Sequence, residues 1–271
     1  MSSTIRDLHG PITLGSTGLT VSRIGFGSSY GAPAAAYERA FHEHGVNVFY
    51  WGSIRRTGMA EAIRHLAATT GRDRLVVALQ SYDRTGVLMP LFVKRGLRAL
   101  GLDRAELLIL GWHGAVPSRR VLDAARGLVE AGRIRYLALS GHQRKTHGAL
   151  AADPRRPVDV LMFRYNAAHR GAEKEIFPFL PPAGGPGTIA YTATRWGQLL
   201  DPRRMPPGEE PLSASDCYRF ALSRPEVHLC LAGPADAAQA AEACRALDLG
   251  PMNPDELERA RRIGEFVHGP A

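Results

Sequence analysis

The strongest constraint on the fold is a regular alternation of short apolar runs, rich in β-branched residues, with longer segments of helical spacing. The apolar runs predict eight strands, at residues 24–28, 46–52, 75–82, 106–113, 134–142, 158–166, 188–193 and 227–233. The segments between them predict helices, at residues 35–44, 58–69, 88–100, 119–131, 146–152, 172–180, 214–224 and 237–247. Runs that are apolar throughout are typical of parallel strands covered on both faces. An eightfold repeat in 271 residues suits one α/β fold, a (β/α)8 TIM barrel of roughly 250 residues.

Two additions frame the predicted barrel. Glycines at residues 15 and 18, between two short apolar runs, predict an N-terminal β-hairpin that plugs the bottom of the barrel. Asn253 and Pro254, followed by acidic residues, predict the start of an extra C-terminal helix that ends near Val267. We interpret residues 1–271 as a single domain.

The positive charge of the chain is dispersed. The sequence has 34 Lys and Arg against 26 Asp and Glu, a formal charge of +8. The arginines are spread along the chain, without the basic stripe and interleaved aromatic residues that are typical of nucleic-acid binding. We therefore expect no nucleic-acid partner, and only Arg55 and Arg195 are expected to meet an anionic ligand.

Composition narrows the class of protein further. A hydrophobic fraction of 45% predicts a globular core rather than disorder. No run reaches the ~18 apolar residues of a membrane span, and the first residues lack the pattern of a signal peptide, so we expect a cytoplasmic protein without a membrane partner. Cys217, Cys230 and Cys244 lack metal-ligand spacing and are predicted to be buried, without disulfides; no metal site is predicted.

Six segments, in order from about residue 12 to residue 268, resemble one known family. They read LGSTGLTVSRIGFGS, GVNVFY, VEAGRIRYLALSGH, VDVLMFRYN, TIAYTATRWGQLL and LCLAGPADAAQAAEA. Together they are similar to the opening hairpin, the strands and the cofactor loops of the aldo-keto reductases. The resemblance implies an NAD(P)H-dependent carbonyl reductase whose active site lies at the carboxyl ends of the barrel strands.

The resemblance implies four catalytic residues, and this chain differs at each position. The family's aspartate falls on Tyr50, its tyrosine on Arg55, its lysine on Gln80 and its histidine on Gly111. A tyrosine with an ordinary pKa near 10 needs a nearby cation to act as an acid at neutral pH, and Gln80 cannot supply one. The sequence therefore predicts a non-standard active site.

The resemblance also implies a site for NADP or NAD. The residues that match the family are Ser140, Tyr191, Gly233, Gln239 and Glu242, and we add Arg195 from the loop after the seventh strand. Tyr191 matches the residue on which the nicotinamide stacks, Ser140 matches a carboxamide anchor, and Arg195 is expected to contact a phosphate. Ala235 stands where an Arg or Lys often meets the 2′-phosphate, so the choice between NADP and NAD stays open.

Aromatic and hydrogen-bonding residues at the predicted strand ends indicate a rebuilt pocket. His113 is the candidate general acid or base, because an ordinary imidazole titrates near pH 6.5. Tyr50 is expected to donate a hydrogen bond to a carbonyl oxygen, Gln80 to orient the substrate or Tyr50, and Arg55 to bind a carboxylate or phosphate. His142 is expected either to join His113 or to bond a backbone carbonyl. A packed tyrosine and a solvent-facing histidine or arginine are the structural alternatives.

Three functions remain in competition at this point. The first is an oxidoreductase that reduces a carbonyl-type small molecule through an unusual proton donor. The second is a redox-neutral dehydratase, isomerase or cyclase on the same barrel, whose turnover would need no nicotinamide. The third is a non-catalytic pseudoenzyme that binds the dinucleotide without reacting.

Overall fold

The computed structural model describes residues 7–52 and 56–269. Two short antiparallel strands come first, and eight parallel strands then form a closed barrel. In chain order the strands are β1 (Ile12–Thr13), β2 (Thr20–Val21), β3 (Ile24–Gly27), β4 (Val48–Trp51), β5 (Val76–Ser81), β6 (Ala105–Leu110), β7 (Ile134–Gly141), β8 (Val160–Arg164), β9 (Gly187–Tyr191) and β10 (Leu229–Ala232). Because β10 pairs with β3, the sheet has no free edge. The predicted (β/α)8 barrel is confirmed.

Helices follow the barrel strands and cover the outside of the sheet. They are α1 (Ala34–His44), α2 (Thr57–Leu66), α3 (Met89–Leu100), α4 (Arg119–Glu130), α5 (Arg144–Ala152), α6 (Ala172–Glu175), α7 (Ala214–Leu222), α8 (Ala237–Leu249) and α9 (Pro254–His268). The helix expected at residues 172–180 is the main difference. It ends at Glu175 because Ile176 leaves the helical conformation, and Pro178, which has no backbone N–H, lies in the short 3-10 turn that follows.

Side chains alternate along each strand between two apolar layers. Val48 of β4 faces the barrel interior, whereas Phe49 and Trp51 face the helices. Both layers are apolar, which explains why the strands are apolar throughout in the sequence. The inner layer consists of Leu14, Leu19, Val21, Val48, Val76, Ala78, Leu107, Ile109, Ala138, Val160, Met162, Ile189, Leu229 and Leu231.

The N-terminal hairpin closes the amino end of the barrel. Leu14 and Leu19, both buried, belong to the inner layer, and the Tyr136 hydroxyl donates a hydrogen bond to the carbonyl of Thr17. The predicted plug is therefore present. In the described residues the hairpin blocks the amino end, and a ligand site is therefore expected at the opposite end, where the carboxyl ends of the strands lie.

Helix α9 is tied to the barrel through a buried arginine. Arg219 of α7 is only 6% exposed, and its guanidinium donates to the two carboxylate oxygens of Glu256 at 2.9 and 2.8 Å. It also donates to Asp216 at 3.2 Å. Since Asp216 and Glu256 also accept from backbone N–H groups at the starts of α7 and α9, Arg219 joins the first turns of the two helices.

The remaining structural expectations concern the cysteines, metals and membranes. Cys217, Cys230 and Cys244 are free and buried, as expected. Among residues 7–52 and 56–269, no cluster of three or more His, Cys, Asp or Glu side chains is placed to hold a metal ion. In the same ranges, no helix has the length and apolar character needed to cross a bilayer.

Candidate active site

A cavity of about 720 Å³ opens at the carboxyl ends of the barrel strands. It extends from the inner faces of β4 and β9 to the first turns of α8. Five of the residues that the sequence singled out line it, namely Tyr50, Tyr191, Gly233, Gln239 and Glu242. The fold therefore brings together one candidate catalytic residue and four candidate cofactor-binding residues.

Tyr50 lies on the inner face of β4, in register with Gly27 of β3. Burial raises the pKa of Tyr50 above its usual range, and the neighbouring Tyr82 raises it further. The two tyrosine side chains share a hydrogen bond. Tyr50 therefore keeps its proton at neutral pH and acts as a hydrogen-bond donor, not as a phenolate.

Gln80 and Tyr82 form a polar chain with Tyr50. The Tyr82 hydroxyl donates to Oε1 of Gln80 at 2.9 Å, so the link from Gln80 to Tyr50 passes through Tyr82. Gly111 makes room for this arrangement, because a Cβ there would lie 2.3 Å from Nε2 of Gln80 and 2.7 Å from the Tyr82 ring. Glutamine at residue 80 and glycine at residue 111 are therefore sterically complementary.

His113 is placed differently from the sequence-based expectation. It is 9% exposed, its Nε2 has no hydrogen-bond partner in the described chain, and its side chain is outside the lining of the cavity. Burial, with a smaller contribution from Arg84, lowers the pKa of His113 to about 4. The imidazole is therefore neutral at pH 7, which does not suit a general acid. His142, the other candidate histidine, is exposed, and its ring centroid lies 6.0 Å from that of Tyr191.

Tyr191, the last residue of β9, is held by its neighbours. Its side chain hydrogen-bonds to Ser140, and its hydroxyl donates to the carbonyl of Gly141 at 3.3 Å. Burial raises the pKa of Tyr191. These contacts fix the orientation of the ring before any ligand arrives, and they give Ser140 a role in positioning Tyr191.

The loop after β9 has a strained backbone. Thr192, Arg195 and Trp196 have φ values of 56°, 52° and 53°, in the left-handed region that favours glycine. Trp196 lines the cavity, but the Arg195 guanidinium instead donates to the carbonyl of Val267, at the C-terminal end of α9. Since the carbonyl end of a helix attracts cations, the phosphate contact expected of Arg195 competes with this interaction.

The far end of the cavity is built around α8. The Gln239 side chain accepts from the backbone N–H of Ala235 at 3.0 Å, and Glu242 accepts from the Ser215 hydroxyl at 2.7 Å. Gly233 faces the ring of Tyr30, and a Cβ at residue 233 would lie only 2.8 Å from that ring. Tyr30 is 55% exposed and lines the cavity. Sequence reasoning missed Tyr30, because a lone tyrosine after the first barrel strand carries no motif.

Arg55 lies outside the described residues. Its expected contact with an anion therefore stays a prediction.

Comparison with known proteins gives the same fold. No protein-family model matches the chain. An aldo-keto reductase from Bacillus halodurans, in its holo form, has a TM-score of 0.74 and 19% identity, over 94% of this chain and 96% of that chain. An aldo-keto reductase from Klebsiella pneumoniae, in complex with NADP and acetate, has a TM-score of 0.72 and 20% identity, over 93% and 94%. A second K. pneumoniae structure, in complex with NADPH, has a TM-score of 0.71 and 21% identity, over 93% and 94%. The chain therefore has the barrel fold of the aldo-keto reductases.

Proposed function

We propose that the protein is an NAD(P)(H)-binding oxidoreductase that acts on the carbonyl group of a small molecule through a non-standard active site. The observation that carries this proposal is that one cavity joins Tyr50 to Tyr191 and to the first turns of α8. The NADP and NADPH complexes of the structural neighbours support it. On this view residues 1–271 act as one catalytic domain.

The described residues fit a nicotinamide dinucleotide. The cavity volume of about 720 Å³ lies within the range of roughly 300–1,000 Å³ that is usual for ligand sites. Glycine at residue 233 keeps the backbone beside Tyr30 free of a side chain, and the Tyr191 ring presents a fixed aromatic surface. The residues that would contact the cofactor are Tyr191, Gly233, Gln239 and Glu242, which line the cavity. Ser140 would act by positioning Tyr191, and Arg195 would have to leave the carbonyl of Val267 to reach a phosphate. When bound, the reduced cofactor supplies a hydride for the carbonyl carbon.

Tyr50 is the proposed hydrogen-bond donor to the substrate carbonyl. Because Tyr82 donates to Gln80, its own oxygen is left to accept a hydrogen bond from Tyr50. A substrate carbonyl oxygen that replaces Tyr82 as the acceptor would receive the Tyr50 hydrogen bond. The bond stabilises the negative charge that develops on that oxygen. The alkoxide that forms takes its proton from solvent water, because the raised pKa of Tyr50 keeps the proton on its own hydroxyl.

Replacing Tyr191 with alanine is expected to weaken NADPH binding about ten- to a hundredfold, since loss of an aromatic stacking partner costs ~1–3 kcal/mol. Tyr191→Phe keeps the ring, loses the hydroxyl contacts, and should bind nearly as well as the parent protein. Titration of NADPH and NADH, followed by cofactor fluorescence, measures both variants. No binding of either cofactor at millimolar concentration would overturn the proposed function, and binding without turnover would favour the pseudoenzyme.

Gly111→Ala is expected to lower kcat/KM for aldehyde reduction roughly ten- to a hundredfold, because the new methyl group displaces Gln80 and Tyr82. Both side chains lie at the rim and can move, so Tm should fall little. Gly127→Ala, in α4 with open space around its Cβ position, is the matched control and should be neutral or slightly stabilising. Equal activity of the two variants would show that the Gln80–Tyr82 chain has no part in the reaction.

A further inference from the structure

Arg164 stands at the carboxyl end of β8, close to the cavity. Val160 and Met162 of the same strand face the barrel interior, so the alternation of side chains directs Arg164 to the inner rim. It is half-buried and pairs in register with Tyr191 of β9. The side chain therefore lies beside the tyrosine that the proposed function assigns to nicotinamide stacking.

The Arg164 guanidinium has no counter-ion in the described parts of the chain. No carboxylate lies within ion-pair distance, and no hydrogen bond satisfies its N–H groups, in residues 7–52 and 56–269. The glutamates at this rim have other partners, since Glu175 pairs with Arg144 and Glu173 accepts from the Tyr165 hydroxyl at 2.7 Å. A half-buried charge without a partner is costly, and proteins normally pair it.

Apart from Tyr191, the titratable groups around Arg164 are cations or potential cations. Burial lowers the pKa of Arg164, Tyr191 raises it, and the positive charges of Arg144 and Arg195 lower it. Burial, followed by the charge of Arg164, lowers the pKa of His142 and brings that of His169 to about 4. Both imidazoles are therefore neutral at pH 7, able to donate an N–H without adding charge. The rim has a positive potential that an anion would relieve.

This rim is adjacent to the cavity, but its arginines do not belong to the lining of the cavity. The cavity runs from Tyr50 and Tyr191 to Gly233 and Glu242, and neither Arg164 nor Arg144 lines it. An anion held by Arg164 would thus lie on the β7–β8 side of Tyr191, away from α8. The planar guanidinium suits the paired oxygens of a carboxylate or phosphate group.

We propose that Arg164 binds a carboxylate or phosphate group of the substrate, so that the protein acts on small carbonyl compounds that carry an anionic group. This inference rests on the proposed function, because it assigns the anion to the substrate of the same site. It adds a specificity-determining residue that the sequence did not single out.

The first test is thermal melting in inorganic phosphate, with chloride at the same ionic strength as the reference. At ten times its Kd, phosphate is expected to raise Tm by about 3–5 °C. Arg164→Met should abolish this shift and should melt no lower than the parent protein in chloride, since it removes an unpaired charge. Arg98→Met, on the exposed face of α3, is the matched control and should keep the shift.

The same measurement in saturating NADPH distinguishes a site for an anionic substrate group from a site for a cofactor phosphate. If the phosphate shift persists with NADPH bound, the anion belongs to the substrate; if NADPH eliminates it, the site belongs to the cofactor and the proposal is overturned. An equal phosphate shift in Arg164→Met would also overturn it. Failure of NADPH to bind would overturn the proposed function alone, because the phosphate shift is measured without cofactor.

The second test compares two aldehydes that differ only in a carboxylate, 4-carboxybenzaldehyde and benzaldehyde. Arg164→Met is expected to raise KM for the carboxylated aldehyde roughly ten- to a hundredfold, since a hydrogen bond to a charged group contributes about 1.5–3 kcal/mol. The change for benzaldehyde should be much smaller. Equal changes for the two aldehydes would show that Arg164 does not recognise the anionic group.

Discussion

Replacing Tyr50 with phenylalanine is expected to lower kcat/KM about 10²–10³-fold with little change in Tm. The substitution removes one hydroxyl, and loss of a donor aimed at a developing oxyanion has an effect of this size. The ring remains packed against the inner face of the barrel, because Phe has the same shape. Steady-state kinetics of NADPH-dependent aldehyde reduction, with a melting curve for each protein, measures the effect.

Tyr136→Phe is the matched control for this prediction. Tyr136 is also an inner-face tyrosine, but its hydroxyl bonds to Thr17 at the plugged end of the barrel. Tyr136→Phe should therefore lose some stability, about 1 kcal/mol, and retain its activity. If Tyr50→Phe instead lost several degrees in Tm and kept its turnover, Tyr50 would be a core residue without a role in the reaction.

Replacing Arg219 with alanine is expected to destabilise the fold by about 3 kcal/mol, the lower end of the cost of removing one partner of a buried ion pair. The lower end applies because the side chains of Glu256 and Asp216, 37% and 26% exposed, keep some access to water. For a chain of this size the loss corresponds to a fall in Tm of about 5–10 °C. Chemical denaturation and calorimetry measure it directly.

The pH dependence of stability provides a second readout for Arg219. The hydrogen bond from Arg219 is the largest of the effects that lower the pKa of Glu256 below its ordinary 4.5. A carboxyl with a lowered pKa stabilises the fold above its unfolded-state pKa, and this contribution is lost as the pH falls. The stability difference between Arg219→Ala and the parent protein should therefore shrink below about pH 4.5. The exposed Arg262, which pairs with Glu209, is the control, and Arg262→Ala should have almost no effect.

The fold could be predicted from the sequence because apolar periodicity encodes burial directly. The eight apolar runs became eight barrel strands, and the two glycines of the turn marked the hairpin that carries Leu14 into the barrel. Helix α6 was predicted too long, since the pattern of residues 172–180 does not reveal that Ile176 departs from helical geometry. A change of backbone conformation at one residue leaves no periodic signal.

The site was less accessible to sequence reasoning, because its chemistry depends on contacts between distant residues. In the sequence, Gln80 and Gly111 indicate two separate losses of a catalytic group. In the fold, the missing side chain at Gly111 leaves the space that Gln80 occupies. His113 was assigned an ordinary pKa, and only the fold shows the burial that lowers it. Arg164 was one of many dispersed arginines until strand register placed it beside Tyr191.

The three left-handed residues after β9 bear on the kinetics of ligand capture. Each costs roughly 1–3 kcal/mol of backbone strain, which folding has already offset before a ligand arrives. A dinucleotide that binds along this loop would meet a backbone that is already ordered. Little of its binding free energy would then offset a loss of conformational entropy. Association of a dinucleotide would then show no slow phase from ordering of this loop.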